Sequence, residues 1–375
     1  MRKLFLMLLA IATFSSCSSL SKTITVTNNA DFQRKAEIVE VRLADLQINP
    51  AKTTFVLKNQ EKEVAYQIVK KQNASEAVLI FQTTLNAGEK AVFEISKGKP
   101  AAVKPLTFAR QVPERKDDFA WENDLAAYRM YGPALAKENP SNGVDLWLKR
   151  TSDLVVDKRY HDELVNGKSY HIDHGDGLDC YKVGHTLGAG GIAPFVNEKL
   201  WVGDFYNSYR VIENGPLRSV FELKYNAINV NGETYSETLT ITSDAGSLLN
   251  KAVVKFEGAD NEMKLAGGIF IHDGKGSIKD SADKGFIAYA ENAVSDAGVP
   301  SGRNYVGVLI PEGATESQKD KEHVLIMADY KPGTEFTYYF GGGWSKWGFP
   351  TDADWFNAMN SFSKKLKSPL KVEIK

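Results

Sequence analysis

The chain has 375 residues, a formal net charge of −1, and a composition that is 43% hydrophobic, 11% aromatic and 25% charged. That balance supplies one large or two moderate cores and excludes the basic footprint that nucleic-acid binding requires. Only two cysteines are present, so stability must come from packing rather than from a disulfide framework.

Residues 1–16 join Arg2 and Lys3 to an apolar run over 4–14 that ends in Ser15 and Ser16. A basic flank, a short apolar core and small residues make a signal peptide, too short to persist as a spanning helix. Cys17 follows where a bacterial lipoprotein would be cut and lipidated, leaving 17–22 as a tether. The expected membrane contact is then the lipid anchor alone. No acidic cluster follows Cys17, and the expectation is an outer-membrane lipoprotein facing the periplasm.

Residues 23–105 alternate apolar and polar side chains over strand lengths, as in ITVTN (24–28), TFVLKN (54–59) and KAVFEIS (90–96). Asn49-Pro50 and Asn86-Ala87-Gly88 punctuate them, which predicts a small immunoglobulin-like β domain. The stretch 100–105, with proline at both ends, separates it from a second unit, 106–375.

That unit opens on a polar-aromatic stretch, 107–135, containing Arg115, Trp121, Glu122, Asn123, Asp124 and Arg129. In extended backbone Trp121 and Asn123 share one side and Glu122 and Asp124 the other. A tryptophan can stack a sugar ring, and an arginine can hold a carboxylate as a bidentate fork. After a short strand at 143–149 and a histidine-rich segment, the chain becomes a run of β hairpins with turns such as NVNGET (229–234). A fold of antiparallel strands without a fixed repeat predicts an all-β body, a large antiparallel two-sheet sandwich. The best helical periodicity is at 352–367, where Trp355, Phe356, Met359, Phe362 and Leu366 form an apolar face.

Four of the six histidines fall in 160–195: His161, His171, His174 and His185, beside Asp173, Asp176, Asp179, Tyr170 and Tyr181. Imidazoles titrate near neutrality and ligate metals, so this clustering marks a candidate active centre. The run Gly188-Ala189-Gly190-Gly191 lacks the Gly-Lys-Ser/Thr ending of a phosphate loop and reads as close backbone packing. In FGGGWSKW (340–347), Trp344 is a candidate sugar platform.

Three stretches in order, ERKDDFAWENDLAAYRMYGP, HGDGLDCYKVGHTLGAGG and YYFGGGWSKWGF, resemble the bacterial lipoprotein family catalogued as domain of unknown function 4861. The resemblance spans nearly all of the mature chain. It implies a galactose-mutarotase-like supersandwich and a part in breaking down uronate-containing plant or algal oligosaccharides, as a lyase or dehydratase.

β-Elimination from a uronate needs a base for the proton beside the carboxylate, a cation on that carboxylate, and an acid for the leaving oxygen. The residues supply His171 or His174 as base, Tyr170 or Tyr181 as acid, His185 nearby, and Arg115, Arg129 or Arg210 as cation. Trp121, Glu122, Asn123 and Trp344 are candidate sugar contacts. In extended backbone His171 and His174 point apart, so they converge only through a turn, for which Gly175 and Gly177 give the freedom. A second reading of the segment is a divalent metal, calcium or zinc, on Asp173, His174 and Asp176, although no zinc or EF-hand spacing is present. Two other functions fit the composition: a hydrolase, epimerase or mutarotase using carboxylates such as Glu122, Asp124 or Asp176, and a non-catalytic glycan-binding lipoprotein.

Overall fold

The computed structural model describes residues 20–70, 77–137 and 143–375. The signal segment and Cys17 lie outside the described residues. Strands account for 53% of the structure, and the paired strands are antiparallel, as alternation punctuated by turns predicts.

The small sandwich faces a five-stranded sheet against a three-stranded one. Alternate side chains meet between them: Ile24 and Val26, Val39 and Val41, Leu79 and Phe81, Phe93 and Ile95. Its five-stranded sheet ends on a strand from the far end of the chain, Lys371–Ile374, which pairs with Ser21–Thr27 so that Ile374 lies opposite Ile24.

The large unit has three sheets. A broad sheet runs from Tyr206–Gly215 through Glu233–Asp244 and Phe336–Trp344 to Ser277–Ser281. Two five-stranded sheets contribute with it to one apolar core. The first, here the wall sheet, comprises Thr107–Val112, Asp118–Asn123, Ala127–Met130, Asp145–Lys149 and Gly177–Asp179. The second is centred on Ala189–Val196, Met263–Phe270 and His323–Tyr330. The shared core takes Trp121, Tyr128 and Leu146 from the wall sheet, Ile269 and Ile326 from the second, and Phe221, Ile241 and Phe340 from the broad sheet. The glycine run is packed tight as its composition suggests: a Cβ on Gly188 would meet the Val144 carbonyl at 2.2 Å, and one on Gly190 would meet Phe340 at 2.5 Å.

Two helices cover the outer faces. Asp352–Lys367 starts on a capping box between Thr351 and Asp354 and presses Trp355, Met359 and Phe362 onto Phe286, Tyr305 and Leu309. Val156–Asn166 lies over the wall sheet, with Val156 and Tyr160 against Ala120, Ala127 and Trp147. This second helix carries weak periodicity in the sequence, because only Val156, Arg159 and Tyr160 of its residues are buried. It has a structural consequence: all six residues of Asp118–Asn123 are buried, on both faces of the strand.

Candidate active site

Arg129 organises the outer face of the wall sheet. Its strand places it directly opposite Asp145 on one side and Ala120 on the other, and the small alanine leaves room for the guanidinium. Nη2 lies 2.6 Å from Asp145 and 2.8 Å from Asp179, and Asp118 sits 3.8 Å from Nη1. The same group donates to the Tyr170 and Tyr131 hydroxyls, each at 3.2 Å. Rings close the remaining sides, with Tyr131 at 4.7 Å and Trp147 at 5.1 Å from the guanidinium carbon. Burial works against the Arg129 charge, but Tyr131, Asp145 and Asp179 outweigh it and hold its pKa well above the ordinary value. Burial, together with the Asp179 charge, pushes the Asp145 carboxyl up to about 7 despite Arg129. Asp118 is likewise raised by burial against the pull of Arg129 and Arg115.

A cavity of about 400 Å³ opens beside this cluster, lined by Arg115, Arg129 and Tyr131 on one wall and by His171 and residues 179–184 on the other, with Asp296 also on its lining. The stretch around Arg115 to Tyr131 and the histidine segment therefore face each other. His171 Nδ1 lies 3.0 Å from the Asp179 carbonyl and 3.6 Å from the carboxylates of both Asp179 and Asp296. A carbonyl only accepts, so Nδ1 carries a proton, and in the neutral tautomer this geometry selects, the lone pair lies on Nε2. Nε2 has no partner among the described residues. Arg115 pairs through Nη1 with Asp118 at 3.2 Å and remains 22% exposed on the cavity.

The phenols differ in what their protons do. Tyr131 accepts from Arg129, and its own proton has no acceptor among the described residues; burial holds this phenol far above its ordinary pKa. Tyr181 also lines the cavity but donates to the Phe270 carbonyl at 3.2 Å. Tyr170 is not on the cavity lining; its ring is stacked on Trp147 at 4.9 Å.

Several sequence candidates lie elsewhere. His174 is exposed and bonds the Ser169 carbonyl at 2.9 Å, so the turn at Gly175 and Gly177 folds its ring back on the loop instead of toward His171. His185 is exposed beside cavity-lining Gly184. Trp121 is fully buried, stacked on Tyr128 at 5.4 Å, and presents no face to a sugar. Glu122 is buried against Lys149 at 2.7 Å and accepts from the Val155 and Val156 amides at the start of the helix. Asn123 caps a turn through Leu125 and Ala126. Arg210 is exposed on the edge strand of the broad sheet, paired with Glu222. Trp344 is buried and donates to the Ser301 carbonyl at 2.6 Å.

The calcium or zinc reading does not fit the donor set. Asp173 accepts from the Gly175 and Gly177 amides, Asp176 pairs with Lys158 at 2.6 Å, and His174 points away. Among the described residues no group of three His, Cys, Asp or Glu is placed to hold a metal.

The structure adds Tyr131, Asp145, Lys182 and Asp296 to the site and sets Asp179, already singled out beside the histidines, against Arg129. Asp145 carried a visible signal: an acid in the otherwise apolar strand sequence VDLWL. Asp296 carried none, since it arrives from the turn between Phe286–Val294 and Pro300–Leu309, over a hundred residues downstream.

Fold and cavity together define an all-β, multi-sheet sandwich protein with a charged pocket on the outer face of one sheet. The chain belongs to the family described as Domain of unknown function (DUF4861), whose profile matches residues 26–372. It is similar to Uncharacterized protein P7 of Formosa agariphila, 32% identical over 401 residues and 99% of each chain. Among solved structures it is similar in fold to a protein in the Glycosyl Hydrolase Family 38 from Enterococcus faecalis, with a TM-score of 0.53 and 10% identity. That likeness covers 95% of this chain and 47% of the other, so the chain spans about half the length of the solved protein.

Proposed function

We propose that the protein is a carbohydrate-active enzyme that cleaves uronate-containing oligosaccharides by β-elimination, as a lyase or dehydratase. The observation that carries this reading is His171: its Nδ1 is tied to the Asp179 carbonyl, and its Nε2 is left as a base in a cavity that also holds a cation and a phenol. His171 Nε2 takes the proton from the carbon beside the substrate carboxylate. Arg115, with Lys182 on the same lining, stabilises the negative charge that grows on that carboxylate. The electron pair forms the new carbon–carbon double bond as the bond to the leaving oxygen breaks. Tyr131 gives its proton to that oxygen, and Arg129 steadies the phenolate left behind. Proton exchange with solvent resets both groups. A carbohydrate substrate also agrees with the fold shared with a glycosyl hydrolase family 38 protein. The leader and Cys17 support export and lipid anchoring at the periplasmic side of the outer membrane.

One observation favours a second reading, glycoside hydrolysis. Asp179 and Asp296 each place a carboxylate 3.6 Å from His171 Nδ1 and line the same cavity, so two carboxylates are available at one site. A single assay on acidic oligosaccharides separates the readings. A rise in ultraviolet absorbance from unsaturated uronate supports elimination. New reducing ends without that rise support hydrolysis and overturn elimination, and retained binding with neither product leaves a glycan-capture protein.

A further inference from the structure

Behind the cavity wall stands a pair that the mechanism above does not use. His272 follows the strand Met263–Phe270, and its side chain is 26% exposed. Its Nδ1 lies 2.5 Å from Glu291, which is almost wholly buried on the strand Phe286–Val294. Its Nε2 lies 2.7 Å from the main-chain carbonyl of Lys182. The Tyr181 ring meets the imidazole edge-on at 4.8 Å, and Phe270 packs on it at 4.6 Å. Tyr181 and Lys182 are both cavity-lining residues.

Both ring nitrogens therefore face oxygens. The carbonyl cannot donate, so Nε2 must carry a proton. Nδ1 and Glu291 then need a second proton between them, because two lone pairs at that separation would repel. We propose that His272 is a positioning residue: held by Glu291 at Nδ1 and donating from Nε2 to the Lys182 carbonyl, it ties the Tyr181–Lys182 wall in place. The groups facing the ring are Glu291, the Lys182 carbonyl, and the rings of Tyr181 and Phe270. The proposal rests on the cavity being the substrate site only for its effect on turnover.

Hydrogen exchange of amides 181–185 reads the clamp without any substrate. After correction for intrinsic rates, His272→Ala should speed exchange there about tenfold, the cost of one lost hydrogen bond. Glu291→Gln can donate its amide to a neutral Nδ1, so it should keep the clamp closed, with exchange within a few fold of the wild type. The same variant should keep kcat/KM within a few fold of the wild type, whereas His272→Ala should lower it about tenfold. Unchanged exchange in His272→Ala, or exchange in Glu291→Gln as fast as in His272→Ala, overturns the proposal. If exchange behaves as expected but no uronate is turned over, the clamp stands and the functional reading falls.

Discussion

The two faces of the wall sheet are both largely buried, the outer one opening at the cavity beside Arg129, yet they are built from opposite chemistry. The inner face presents Trp121, Tyr128, Leu146 and Leu148 to the shared core. The outer face carries Asp118, Glu122, Arg129, Asp145 and Lys149, all buried. An apolar outer face would be at least as stable, because buried ion pairs recover their desolvation cost only when geometry and hydrogen bonding are nearly complete. The inner face is built for packing, whereas the outer face buries charges that hold Arg129 beside the cavity.

Removing the central charge should break the comparison most visibly. Arg129→Met strands Asp145 and Asp179 without their cation and should cost about 3–5 kcal/mol in urea unfolding; a loss below about 1 kcal/mol would show that the outer face does not depend on its arginine. His171→Gln should lower turnover of an acidic oligosaccharide by about 10²–10⁴ while the unfolding midpoint holds. Wild-type turnover in that variant would remove His171 as the base.

A third test concerns pH. Glu237 sits in the inward row of the broad sheet between Tyr235 and Leu239, and burial pushes its carboxyl up to about 8. With the carboxyl raised in the folded state, stability is fullest below its ordinary value of 4.5 and is lost as pH climbs from there through about 8. Glu237→Gln should flatten the change in urea midpoint between about pH 4 and about pH 9. Smaller effects sharpen the inner-outer contrast. Leu148→Met, a swap that conserves volume, should cost under about 1.5 kcal/mol. His174→Ala, on the exposed loop, should stay within about 0.5 kcal/mol and leave turnover near wild type.

How far the sequence could be read follows from the same sheet. Alternation along 118–123 correctly separates Trp121 from Glu122, but it cannot say which side meets solvent. Neither does, because a polar helix with weak periodicity covers the outer side. Trp121 therefore reads as a sugar platform until the core around Phe221 is seen. Residue types alone put Arg115, Arg129 and the histidines in one candidate site, of which Arg115, Arg129 and His171 line a common cavity. They do not separate His171 from His174, because that depends on the loop folding the His174 ring back onto the Ser169 carbonyl. His272 and Glu291 stayed invisible because nothing local links a strand end to Lys182, ninety residues earlier.

The strand Lys371–Ile374 closes the small sandwich from the far end of the chain. Its partner, Ser21–Thr27, waits unpaired on that edge until nearly everything between has been made, so the module nearest the start of the chain is among the last to be completed. Sheet completion at this edge thus becomes a checkpoint on chain integrity. A polypeptide cut anywhere before Lys371 replaces this short edge strand, which carries Lys371 and Glu373, with the longer edge of Ser21–Thr27, and long bare edges invite aggregation.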